Sequence, residues 1–143
     1  MAAVLGKLSN QGAEYWIVPI DDVELDLLRK KSVYGLGKHS PGRKGIKAGD
    51  WICFYQSGRG IVGHARALSA PEFRPELTSI FYPLAVALES VSVHAETPVR
   101  VDRSSMAKLD GAKKYGSAFW GPFVATAHRI SRNDFEVLVS NES

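Results

Sequence analysis

Apolar and polar positions alternate unevenly along this chain, and the first dense apolar run is Tyr15-Trp16-Ile17-Val18-Pro19-Ile20. Its β-branched and aromatic residues predict a strand. Pro19 has no N–H for a ladder, so the strand ends there or lies at an edge. Asp21 and Asp22 then offer an N-cap, and Val23, Leu27 and Leu28 follow at helical spacing. A helix over Asp22 to about Lys31 is expected. From Ser32 to Gly49 the chain is rich in Gly and Lys without a sustained period, which predicts a long and functional loop. Trp51–Tyr55 and Ile61–Leu68 read as two strands joined by a hairpin turn at Ser57-Gly58-Arg59-Gly60. After a polar excursion over Pro71–Ser79, Phe81–Val93 reads as a long strand with Leu84, Val86 and Leu88 on one face. Val91 and Val93 fall on the opposite phase, so a β-bulge near Glu89-Ser90 is expected. Thr97–Val101 predicts a short strand, Ser104–Gly116 a helical turn and loop, and Phe123–His128 a closing strand. At the end Ser131 caps a helix with Asp134 at N3. Ile130 and Phe135 form a hydrophobic staple, and Phe135, Leu138 and Val139 form the buried stripe.

Five or six strands with a helix near either end argue an α+β barrel. A doubly wound parallel sheet would need more crossover helices than are present. At 143 residues the chain suits one domain with a real core, expected over residues 15–143 behind a flexible tail at 1–14. Hydrophobic residues make up 45% and charged residues 23%, the balance of a globular protein rather than a disordered one. No apolar run reaches the roughly 18 residues of a membrane helix. The one cysteine, Cys53, excludes an internal disulfide, and the reducing cytoplasm is the expected compartment. The net charge of +3 is modest, but no acid stands between Asp26 and Asp50 while Arg29, Lys30, Lys31, Lys38, Arg43, Lys44 and Lys47 do. Two readings of that stretch stand: a segment facing phosphates, or a solvated loop.

Several segments, in order, resemble the EVE domain, a relative of the PUA, ASCH and YTH folds. They are Tyr15-Trp16-Ile17, Val33-Tyr34-Gly35-Leu36 with Lys38-His39 behind it, and Lys47-Ala48-Gly49-Asp50 leading into Trp51–Tyr55. Ile61-Val62-Gly63, Phe81-Tyr82-Pro83, Phe119-Trp120-Gly121 and the helix from Ser131 to Val139 complete the set. The resemblance spans nearly everything from Tyr15 onward. One departure is Tyr34, where the family commonly has Trp, which implies a smaller and more polar wall. The resemblance implies a PUA-like twisted β-barrel of five or six strands flanked by helices. It also implies a binding module for RNA or DNA carrying a modified base, methylated or hydroxymethylated, flipped into an aromatic pocket. Nucleic acid is the implied partner, with no cofactor, no metal and no catalysis.

Tyr34 and Trp120 sit in glycine-flanked segments off any apolar stripe, which favours pocket walls and predicts that alanine there leaves the fold intact. Phe119 and Tyr115 divide evenly between pocket wall and packing. Trp16 stays open between pocket and core, while Trp51 reads as core. Asp21 can accept from a base amino group or cap the helix, and Ser57 can reach a base edge or serve the turn. Lys38, His39, Arg43, Lys44 and Lys47 are the candidate phosphate ligands. His39, His64, His94 and His128 lack metal-ligand spacing, and Cys53, between Ile52 and Phe54 in a strand, reads as an inert buried thiol. Two alternatives remain: an ASCH-like RNA-processing nuclease using Lys38 and His39, and a peptide-binding module with an exposed groove.

Overall fold

The first strand, β1 (Tyr15–Pro19), is flanked on both sides, pairing parallel with β3 (Trp51–Gln56) and antiparallel with β7 (His128–Ile130). Pro19 therefore ends the strand, and the next residue resumes the ladder when Ile20 N–H donates to Tyr55 O at 2.9 Å. The structure is a computed structural model that describes residues 13–37, 45–101, 108–110 and 127–140. Helix α1 (Asp22–Lys31) starts on a full capping box. The Asp21 carboxylate accepts from Glu24 N–H at 2.8 Å and Glu24 Oε1 accepts from Asp21 N–H at 3.1 Å. It ends at Ser32 in the left-handed region, whose N–H returns to Leu28 O.

The stretch read as a long loop begins instead with a strand, β2 (Val33–Leu36), all four residues of which are buried. Four residues are too short to display a period. β2 owes its form to antiparallel pairing with β6 (Leu84–Val93), where Tyr34 lies opposite Val86. β4 (Gly60–Ala67) returns from β3 through the expected hairpin. Gly60 is required there, with φ at +120° and room for no Cβ, which would stand 2.4 Å from Val99 O. The polar excursion holds a two-residue strand, β5 (Glu72–Phe73), on β6, and the strand expected at Thr97–Val101 is a single bridge between Ile61 and Val99.

Among the described residues the sheet order is β2-β6-β4-β3-β1-β7, with β5 also on β6. Two irregularities bend it. Val62 is an extra residue in β4 against Phe54 and Tyr55, and β6 bulges opposite His64–Arg66, where Ser90 has φ +52°. The second falls at the expected Glu89-Ser90 position. The curl shows in one contact. β2 and β3 stand three places apart, about 14 Å in a flat sheet, yet the rings of Tyr34 and Phe54 are 5.6 Å apart.

The result is an α+β fold, a curled mixed sheet with two helices. Trp16, Val18, Ile52, Phe54, Val62, Val86 and Leu88 fill the inside of the curl against Leu25 and Leu28 of α1. Ile17, Cys53, Ile61 and Ile130 face outward under Phe135 and Leu138 of the last helix, α2 (Arg132–Val139). That helix is capped as expected, Ser131 Oγ accepting from Asp134 N–H at 3.1 Å. No helix among the described residues is long and apolar enough to cross a membrane.

Candidate functional site

Parallel pairing of β1 with β3 brings their C-terminal ends together, and with them the polar residues that follow each strand. Asp21 and Asp22 follow β1, while Gln56 closes β3 and Ser57 begins the turn. Gln56 Nε2 donates to Asp22 Oδ1 at 2.6 Å, which leaves the buried Gln56 Oε1 without a partner among the described residues. Glu24, one turn into α1, is only 6% exposed, and burial pushes its carboxyl up to about 8, so it holds its proton at neutral pH. The charges of Glu24 and Tyr82 act on Tyr34, although burial is the main reason its phenol lies far above the ordinary range. Glu24 and Asp21 raise the Tyr82 phenol as well. One end of the curl thus holds a buried carboxyl, two phenols, an N-cap carboxylate, an orphaned amide oxygen and the exposed Ser57 hydroxyl.

Tyr34 is 4% exposed and belongs to the core cluster, so the expectation that its removal spares the fold is corrected. The cause is long-range: pairing with β6 and curling of the sheet turn a residue without local period inward. Asp21 performs the capping role, with Oδ1 engaged by Glu24 N–H.

Trp16 stands at the opposite end of β1 from Asp21, five residues and so about 16 Å away along an extended chain. Its Nε1 donates to Asp50 Oδ2 at 3.1 Å, and the Arg129 guanidinium sits 5.3 Å from its ring centre. Gly45 presses on the indole, where a Cβ would come within 2.4 Å. Asp50 is fully buried and also accepts from Glu14 N–H, Lys47 N–H and Lys47 Nζ, each at 3.0 Å. Lys47 therefore has its charge paired. Asp50 was visible in sequence only as the end of a Gly-Asp turn, with nothing local to mark it as buried.

On the outer face a groove of about 330 Å³ is lined by Tyr15, Trp51, His64, Arg132, Phe135 and Glu136. Trp51, expected in the core, is only part-buried here, with Phe135 at 6.1 Å and Arg66 5.9 Å from its ring centre. Burial first, and His94 second, hold His64 below the ordinary histidine range. Cys53 is fully buried and desolvation drives its thiol far up, away from thiolate chemistry. No group of three metal-ligating side chains occurs among the described residues. The remaining candidates, Trp120, Phe119, Tyr115, Lys38, His39, Arg43 and Lys44, lie outside the described residues.

No protein-family model matches this chain, and no curated protein matches it in sequence. Its fold is similar to that of the YTH domain-containing protein mmi1, solved in complex with RNA. The TM-score is 0.61 at 12% identity, over 87% of this chain and 77% of that one. The class so defined is a YTH-like α+β fold.

Proposed function

We propose that this chain is a nucleic-acid-binding module of the EVE kind that receives one methylated or hydroxymethylated base of RNA or DNA in an aromatic pocket, without chemistry. The observation that carries the reading is one end of the curl, where Asp21, Tyr34 and Tyr82 stand near the buried Glu24 and Gln56 bonds the neighbouring Asp22, with Ser57 next in the chain. The fold likeness to an RNA-bound YTH protein supports it, as does the acid-free stretch from Leu27 to Gly49. In this reading Tyr34 and Trp120 are opposing walls, with Phe119 and Tyr115 beside them. Asp21 Oδ2, Ser57 and the free Gln56 oxygen meet the base edge, Trp16 braces the opposite end of the curl, and Lys38, His39, Arg43 and Lys44 meet phosphates, while Lys47 stays paired with Asp50.

Unstacking a base costs a few kcal/mol. Stacking on an aromatic returns about 1–3 kcal/mol, and a buried methyl adds roughly 0.8 kcal/mol. Hydrogen bonds to the base edge supply the remaining discrimination.

The test is a binding panel of single and double strands, each modified or plain. A modified strand should bind at least tenfold tighter. Trp120→Ala should weaken it by roughly 1–3 kcal/mol and affect the plain strand far less. Equal binding of both strands would remove the modified-base reading, and cleavage of any strand would replace it with a nuclease. A second reading, capture of a peptide, is favoured by one observation, the open groove at Trp51 and Phe135; binding of no strand at all would support it.

A further inference from the structure

Two large apolar side chains stand consecutively in water on the turn before β6: Ile80 is 79% exposed and Phe81 is 78% exposed. Burying either would contribute about 1.5–3 kcal/mol, so their exposure asks for a reason. The backbone beneath them is well tied. Arg74 N–H donates to Pro83 O at 2.9 Å, Leu77 N–H to Arg74 O at 3.0 Å and Thr78 N–H to Pro75 O at 3.3 Å. Tyr82 N–H donates to Ser79 Oγ at 3.1 Å, and the Thr78 hydroxyl donates to Tyr82 O. The turn holds Ile80 and Phe81 outward on a braced base.

Its position is fixed as well. A Cβ on Gly35 would stand 3.2 Å from both Thr78 Cγ2 and Tyr82 Cβ, so the turn is seated on β2 beside Tyr34. The Tyr82 phenol feels Glu24 and Asp21. Ile80 and Phe81 therefore form a lip next to the end of the curl where the polar residues gather.

We propose that this lip stacks the nucleotide adjacent to the bound base, which makes single-stranded nucleic acid the ligand of this end of the fold. The inference rests on the nucleic-acid reading above. Its scale supports a base over a protein partner. Stable protein interfaces cover roughly 800 Å² on each side, more than Ile80 and Phe81 present even together with Phe73, which is 62% exposed on the neighbouring β5. A ring on a rigid backing is also what sequence-tolerant base stacking uses. A duplex keeps its neighbouring bases stacked on each other and offers no such face.

The test uses the full chain with Phe81→Ala and Phe81→Trp. The probes are short single-stranded RNA and DNA, with one adenine methylated on its exocyclic amine or unmodified, and versions with an abasic nucleotide on either side of that adenine. Phe81→Ala should melt like the parent, since the ring is exposed, and should bind the best strand roughly 5- to 150-fold more weakly, while Phe81→Trp binds as the parent does. An abasic neighbour should weaken the parent by a similar factor and leave Phe81→Ala unchanged. If Phe81→Ala binds as the parent does, or the parent ignores the abasic site, the lip is overturned while discrimination of methylated adenine is judged separately. If methylated and plain strands bind equally but the Phe81 pattern holds, the lip stands and the modified-base reading falls. Binding of no strand overturns both.

Discussion

Removing the Asp50 carboxylate should be among the most damaging single changes in the described part of the chain. Asp50 is fully buried and takes four hydrogen bonds, from Glu14 N–H, Trp16 Nε1, Lys47 N–H and Lys47 Nζ. It thereby ties the entry to β1, the indole inside the curl and the turn before β3 to one point. Asn has nearly the same shape, so Asp50→Asn isolates the chemistry. Whichever way the amide turns, an NH₂ faces two donors in place of an oxygen. Each orphaned buried donor costs about 1–3 kcal/mol; Lys47 Nζ reaches water, so its share is small. The expected loss is about 2–4 kcal/mol for Asn, and about 3–5 kcal/mol for Ala, which strands every donor. Against total stabilities of about 5–15 kcal/mol this is a large fraction. Urea unfolding followed by tryptophan fluorescence should show an earlier midpoint with an unchanged slope. Lys47→Met, which leaves the buried Asp50 carboxylate three N–H donors but no counter-charge, should cost about 1–3 kcal/mol, less than Asp50→Ala. An Asp50→Asn protein within about 0.5 kcal/mol of the parent would refute the claim that this carboxylate organises the Trp16 end of the curl.

Three further outcomes are expected. Glu24 has a folded-state value near 8 against an unfolded value of 4.5, so between those pH values the folded state holds a proton that the unfolded state has lost. Stability should therefore fall as pH rises from about 4.5 to about 8, as linkage requires. Glu24→Gln, which can keep the capping box, should remove that slope in denaturation curves taken across the range; a slope of the same size in the variant would place its origin elsewhere. Cys53, fully buried with a strongly raised thiol, should resist a thiol reagent until unfolding, and rapid labelling of the native protein would contradict its burial. Changing Lys38, Arg43 and Lys44 together to Glu should weaken binding of all strands and reduce the log–log salt slope by about 0.7–0.9 for each lost phosphate contact; an unchanged slope would move the phosphate contacts to other basic residues.

What the sequence disclosed and what it concealed divide by range. Local chemistry was legible. Asp21 and Ser131 cap their helices as their types suggest, and the phase change across Glu89-Ser90 marks a real bulge with Ser90 at positive φ. Cys53 lies as deep as its apolar neighbours implied. Properties that arise only when distant segments meet were not legible. β2 is too short to show a period, so the inward turn of Tyr34 is decided by β6 and by a curl that brings Phe54 to 5.6 Å. Asp50 looks like any Gly-Asp turn until Trp16 and Glu14, more than thirty positions away, come to donate to it. Glu24 shows the same limit from the other side. Its place at N3 of a capping box appears once Asp21 is seen to be the cap, and the burial that raises its carboxyl depends on where α1 docks. The family resemblance and the glycine-flanked segment could point to Tyr34, and the place after β1 to Asp21, but only the packed fold could place Glu24 and Tyr82 beside them.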